Sequence, residues 1–173
     1  TKRIGCLGIR VWSRIDEATS NLFRQSIYLL AARAVPLRFW SNRKGQKMKT
    51  LPLGQTGIDV TEWCLGTMTF GNQTPQEDAH RQIDMCLDVG LNFLDTAEMY
   101  PVNPIRAETV GKSEEVIGNW IAQSGRRDDV IIATKVSGDN PGWVRDGEGY
   151  SGAMMRDAVE GSLKRLQADV IDL

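Results

Sequence analysis

The chain has 173 residues, of which 41% are apolar and 25% charged, and a formal net charge of −1. This is the composition of an ordinary globular domain, and it excludes a disordered, a collagen-like or a membrane-channel protein. The near-zero charge hides two unlike parts. Residues 1–47 hold ten Lys or Arg against Asp16 and Glu17, a net +8, whereas residues 48–173 stand at −9. Met48 is the natural boundary.

Residues 1–47 begin without a methionine, are rich in Arg, and carry apolar stretches such as 26–35 (SIYLLAARAV). None approaches the roughly 18 to 20 uncharged apolar residues of a membrane helix, so no membrane partner is expected. Three readings of this leader stay open: sequence translated ahead of a start at Met48, a targeting segment, or a basic arm. Nucleic-acid binding is the weakest of them, because no basic motif with interleaved aromatics recurs further on. Cys6, Cys64 and Cys86 are odd in number and form no C-x-x-C pair. Neither a disulfide framework nor a zinc site is expected from them, and a reducing, cytoplasmic compartment fits.

After Met48 the pattern becomes regular. Residues 49–53 and 58–61 flank a Gly54-Gln55-Thr56-Gly57 turn and read as a short hairpin. A first apolar run, Trp63-Cys64-Leu65-Gly66, follows. Thr74-Pro75-Gln76-Glu77 then reads as a capping box with proline in the first helical position. Ala79, Ile83, Cys86 and Leu87 form that helix's apolar stripe, and Gly90 is placed to end it.

A second run spans 91–95. The helix after it begins near Ser113, with Val116, Ile117, Trp120 and Ile121 on one face, and stops around Ser124-Gly125. The third run, 130–134 (VIIAT), is continuously apolar, as a parallel strand covered on both faces would be. Ser151 is positioned to cap a third helix with the stripe Met155, Ala158, Val159, Ser162, Leu163 and Leu166, and a fourth run occupies 170–173. The order β-α-β-α-β-α-β signifies a parallel α/β sheet.

An open doubly wound sheet and a closed (β/α)8 barrel share that order. The turn after the first run, Gly66-Thr67-Met68-Thr69-Phe70-Gly71, lacks G-x-G-x-x-G and does not lead directly into a helix, so the dinucleotide fingerprint of the open fold is missing. A barrel needs about 250 residues. Residues 48–173 suffice for about four strands and three helices, so an incomplete TIM barrel is expected.

Parallel strands gather their C-terminal ends on one rim, where barrel enzymes build their sites. Asp95 ends the second run, Lys135 ends the third, and Tyr100 lies five residues past Asp95. A tyrosine, with a reference pKa near 10, is a weak proton donor at neutral pH. An ammonium beside it stabilises the phenolate, and a carboxylate holds that ammonium charged and oriented. The trio would protonate a carbonyl oxygen while hydride reaches its carbon. Taken singly, the residues also read as a turn former, a packing aromatic and a solvated charge.

Residues 60–71 (VTEWCLGTMTFG), 92–100 (NFLDTAEMY), 111–117 (GKSEEVI), 130–136 (VIIATKV) and 162–173 (SLKRLQADVIDL) closely resemble the aldo-keto reductases, above all their bacterial Tas-type branch. The resemblance covers nearly everything after Met48 and nothing before it. It implies a (β/α)8 barrel that reduces an aldehyde or ketone with NADPH, and a small carbonyl compound as partner. Asp95, Tyr100 and Lys135 match three of the family's four catalytic residues, with tyrosine as proton donor. Gly66, Thr67 and Met68 match the loop beside the cofactor, and Asp95 approaches the nicotinamide ribose. In the family the fourth strand runs on into a segment bearing the catalytic histidine, and the phosphate clamp comes from later strands, so this chain alone is expected to be inactive. A second reading within the family is a redox-sensing or regulatory protein, as the potassium-channel β subunits illustrate.

Other signals carry less. His80, the single histidine, falls inside the first helix, away from the rim. Gly111-Lys112-Ser113 resembles the end of a P-loop, but Arg106 stands where that motif needs glycine, so capping explains Ser113. The long loop 137–150 lies on the rim, with Trp143 a candidate pocket wall. Its acids do not follow a calcium pattern, and no metal is expected.

Overall fold

The computed structural model describes residues 5–6, 48–138, 140–147 and 149–173. The readings of the leader fall outside the described residues, except at the two-residue strand β1 (Gly5–Cys6). The hairpin forms as expected, from β2 (Thr50–Pro52) and β3 (Asp59–Thr61), with Leu51 opposite Val60. Then follow β4 (Trp63–Gly66), α1 (Gln76–Asp88), β5 (Phe93–Asp95), α2 (Lys112–Ser124), β6 (Ile131–Ala133) and α3 (Gly152–Leu166). β4, β5 and β6 pair in parallel, in that spatial order.

Strand alternation sorts the side chains into two cores. Leu65, Leu94 and Ile132 point toward the helices and pack with Ile83, Ile117, Trp120 and Leu166. Cys64, Phe93 and Ala133 point the other way and pack with Val60, Leu53 and Ile58 of the hairpin. The hairpin thus covers the face that the helices leave bare. Asp95 and Lys135 share the parity of Phe93 and Ala133, which sets them above the hairpin-side core, at the end where the strands stop.

The helix boundaries follow the sequence closely, but their fastenings differ. Thr74 does not cap α1. Its hydroxyl pairs with that of Thr69 at 2.9 Å, and Pro75 takes the cap position with its carbonyl bonded to Ala79 N–H. Gly90 ends α1 at φ +77°, where a side chain would be strained, while Leu91 N–H returns to the Cys86 carbonyl. Ser113 does not cap α2, whose cap position is Gly111 at φ +80°. Ser151 caps α3 as expected, accepting a bond from Met154 N–H.

On α3 the buried row is Met154, Ala158, Ser162 and Leu166, whereas Met155 and Val159 are each 44% exposed. Two adjacent i,i+4 rows of this helix are apolar, and periodicity alone does not say which one faces the sheet. Gly118 of α2 allows the C-terminal end of α3 to come close: a Cβ there would lie 2.1 Å from the Arg165 carbonyl oxygen.

The first strand gains a neighbour, and the expectation about the cysteines is corrected. β4 is not an open edge, because Gly5–Cys6 runs parallel to Trp63 and Cys64. Cys64 is disulfide-bonded, against the reading of three unlinked thiols, while Cys86 is free and buried. Sequence spacing does not show which segments become neighbours in a sheet. The run 170–173 lies alongside β6 without forming a regular strand: Leu173 N–H bonds the Ile132 carbonyl, and Thr134 N–H bonds the Leu173 carbonyl. Among the described residues no helix is long and apolar enough to cross a membrane.

Candidate active site

Register places Gly66 of β4 beside Asp95 of β5, and Asp95 beside Ala133 of β6. Past the strand ends the parallel ladder continues in single bonds. Thr67 N–H donates to the Asp95 carbonyl, Thr96 N–H to Ala133, and Glu98 N–H to Lys135, each at 2.9–3.0 Å. Lys135, two residues beyond β6, is therefore held as though still in the sheet.

The three residues singled out from spacing come together here. Lys135 Nζ donates to Asp95 Oδ1 at 2.7 Å and to the Thr96 carbonyl at 2.6 Å. It also stands 5.1 Å from the centroid of the Tyr100 ring, within cation–π range. The Lys135 side chain is 49% exposed and that of Asp95 is 23% exposed, so the pair faces solvent, and its strength alone is modest. Its importance is geometric: it presents an ammonium to the tyrosine ring at an accessible rim.

Gly66, Thr67 and Met68 line the same rim unequally. Gly66 is exposed, and a Cβ there would meet nothing within 4 Å, so the space beside Asp95 is open. Thr67 is fully buried, and its polar atoms are engaged inside the protein. N–H and hydroxyl both donate to the Asp95 carbonyl, while its own carbonyl accepts from Ser113 Oγ. Thr67 shapes the loop, and the surfaces left to a ligand are Gly66, Met68 and the Asp95 carboxylate. Ser113 Oγ bonds the Phe70 carbonyl too, and Ser113 N–H donates to the Tyr100 carbonyl. A residue read as a helix cap instead joins α2 to both rim loops.

A charged network beneath the rim has no counterpart in the sequence reading. Glu98, two residues before Tyr100, is 1% exposed, and Glu114 of α2 is fully buried. The Glu98 carboxylate accepts both terminal nitrogens of Arg145, one of them at 2.8 Å, and Ser137 N–H at 2.9 Å, with Arg165 3.6 Å away. Arg165 Nε donates to Glu114 at 2.6 Å, and Thr134 Oγ1 donates to the other Glu114 oxygen at 2.6 Å. Two carboxylates thus face two guanidinium groups in a neutral, hydrogen-bonded quartet. Burial alone would push the Glu98 carboxyl up, but the Arg145 and Ser137 bonds and the two guanidinium charges outweigh it and hold it below the usual carboxylate range.

Part of this network was signalled. Glu114 falls on the buried face of α2, a position where an unpaired charge would not be tolerated. Arg145 gave no such signal. It and Asp146 adopt φ +47° and +54°, a left-handed backbone that costs about 1–2 kcal/mol per non-glycine residue. The surroundings must over-determine such a conformation.

His80 and Lys112 are both engaged within the protein. His80 donates a ring N–H to the Val116 carbonyl at 2.9 Å, joining α1 to α2. Lys112 pairs with Glu115 at 2.6 Å on the surface. Trp143 is 38% exposed in the rim loop, its N–H bonded to the Asn140 side chain.

The Aldo/keto reductase family model matches residues 62–173. The chain belongs to the aldo-keto reductase family. It is 46% identical over 121 residues to Protein tas of Escherichia coli, covering 68% of this chain and 35% of that protein. A probable voltage-gated potassium channel subunit beta of Arabidopsis thaliana is 35% identical over 123 residues, covering 70% of this chain and 34% of the relative. Among solved structures, the holo form of an aldo-keto reductase from Bacillus halodurans aligns at 35% identity and a TM-score of 0.56, covering 72% of this chain and 38% of that one. This aldo-keto reductase chain spans about a third of the length of the curated relatives it matches.

Proposed function

We propose that residues 48–173 are the N-terminal half of a (β/α)8 aldo-keto reductase that reduces an aldehyde or ketone to an alcohol, with residues 1–47 a basic stretch preceding it. The observation that carries this reading is the Lys135 ammonium, 2.7 Å from Asp95 and 5.1 Å from the Tyr100 ring, on the rim where the parallel strands end. The cofactor is NADPH, which when bound supplies a hydride to the carbonyl carbon. The open space at Gly66 and the accessible Asp95 carboxylate suit a nicotinamide ribose, with Met68 alongside.

In this reading Tyr100 gives its phenolic proton to the carbonyl oxygen. Lys135 stabilises the negative charge left on the ring oxygen, and Asp95 keeps the ammonium charged and aimed. The partner is a small carbonyl compound rather than nucleic acid or a membrane. A cytoplasmic location belongs to the same proposal and is supported by the free Cys86 thiol, whereas the disulfide at Cys64 speaks for an oxidising setting. Trapping thiols in intact cells decides this: a reduced Cys64 would support a cytoplasmic location, and a disulfide-bonded one would overturn it.

The test is turnover of a simple aldehyde with NADPH by the full-length parent, with Tyr100→Phe expected to lower kcat by about 10²–10⁴-fold. The similarity to a potassium-channel subunit favours a second reading, a cofactor-binding regulatory protein. Tight NADPH binding with negligible turnover would select it. The 173-residue chain alone should not oxidise NADPH in a carbonyl-dependent way.

A further inference from the structure

We propose that Glu98 and Arg145 form a positioning pair for the proton-donor site, locking the long rim loop onto the loop that carries Tyr100 so that Lys135 is held in place. The inference rests on the catalytic reading of Asp95, Tyr100 and Lys135 above.

Glu98 grips the backbone on both sides of Lys135. Its N–H donates to the Lys135 carbonyl at 3.0 Å, and its carboxylate accepts Ser137 N–H at 2.9 Å. The residue between Lys135 and Ser137 is therefore bracketed, and the direction in which the Lys135 side chain leaves the sheet is set from below. Glu98 also lies two positions before Tyr100, so the same group anchors the start of the tyrosine's loop.

Arg145 supplies the countercharge from 47 residues away, through two bonds to the carboxylate and a third, at 2.8 Å, to the Ser137 carbonyl. Ser137 is thus held at both its N–H and its carbonyl by this pair. Arg145 reaches inward from a left-handed backbone, φ +47°, in the only stretch of the described residues where two consecutive non-glycine residues have positive φ. The rim loop accepts this conformation where its guanidinium meets Glu98. Glu98 is buried beneath the rim. The effect of Glu98 and Arg145 passes through Lys135 and Tyr100, as that of positioning residues must, and displacing a reacting group by about 1 Å can cost on the order of a hundredfold in rate.

The experiment compares Glu98→Gln, Arg145→Gly and Tyr100→Phe in the full-length parent, each checked for folding by circular dichroism and melting. Glycine suits the positive φ at position 145, so Arg145→Gly removes the guanidinium without new backbone strain. Expected are folded Glu98→Gln and Arg145→Gly enzymes whose kcat falls about tenfold or more, with the carbonyl KM within about twofold. Free guanidinium at a non-denaturing concentration should restore kcat to Arg145→Gly and not to Glu98→Gln. A pair that only supports folding would lower the melting temperature and leave kcat of the folded fraction unchanged, with no rescue. That result, or failure of both variants to fold, overturns the inference while an inactive Tyr100→Phe leaves the catalytic reading standing. Turnover that survives Tyr100→Phe overturns both.

Discussion

Cys86 lies on the buried stripe of α1, 6% exposed, and burial pushes its thiol up to about 12. The thiolate is the reactive form, so the folded protein should leave Cys86 unlabelled by a thiol reagent at pH 8 and expose it on unfolding. A raised folded pKa favours the folded state below the ordinary thiol value of 9.0, and this is lost as pH climbs toward about 12. Stability should then fall by about 1.4 kcal/mol per pH unit across that window. Cys86→Ala removes this contribution, which urea titrations at several alkaline pH values would show. Glu98 has the opposite sign. Its carboxyl is held below the usual range, so its contribution is present above the ordinary value of 4.5 and is lost as pH falls through the lower folded value. Glu98→Gln should therefore flatten the acid limb of stability below about pH 4.5. An acid limb identical to wild type in ellipticity measurements would contradict this. Asp95, Tyr100 and Lys135 were legible in the sequence because each falls at or just past a strand end. Glu98 was not, since nothing local distinguishes it from a solvated loop acid.

The elements show where local pattern suffices and where it does not. The stripe Ala79, Ile83 and Cys86 buries α1, and Val116, Ile117, Trp120 and Ile121 bury α2, as their spacing requires. α3 carries two apolar rows, and its packing in the fold, its contact with α2 included, buries Met154 and leaves Met155 exposed. That contact depends on Gly118. A methyl group there would lie 2.1 Å from the Arg165 carbonyl oxygen and 2.8 Å from the Leu166 carbonyl carbon, both main-chain atoms that cannot rotate away. Gly118→Ala should cost about 3 kcal/mol by overpacking, against the few tenths that alanine usually gains in a helix. A melting temperature lowered by roughly 10 °C would register it, and an unchanged one would show that α3 shifts freely. Ser113 is instructive in the same way: its place at a helix start suggests a cap, but 46 residues of separation do not disclose its bond to Thr67.

For the whole molecule, apolar side chains stay exposed both on α3 and in the last strand-like run. Met155 and Val159 are 44% exposed, Val170 59% and Leu173 52%, and β6 is the last strand of its sheet. Exposed apolar side chains of this kind recruit other chains. The 173-residue chain should self-associate in sedimentation, and Met155→Lys with Val159→Lys should reduce that association without loss of helix ellipticity. A chain that sediments as a monomer at micromolar concentration would contradict the idea.

The order of strands and helices, the glycines that end them, the strand-end positions of Asp95 and Lys135 and the likeness to aldo-keto reductases all follow from the sequence by itself. Each depends on spacing within a few turns or on a contiguous motif, and local sterics and hydrophobic periodicity act over that range. The hairpin's cover over the Phe93 side of the sheet, the disulfide at Cys64, the choice of face on α3 and the Glu98–Arg145 pair were decided only by tertiary structure. In the hairpin cover, the choice of face on α3 and the Glu98–Arg145 pair, groups tens of residues apart meet because the crossovers bring separate elements together. Their partners are set by sheet register and helix approach, quantities that no local spacing encodes.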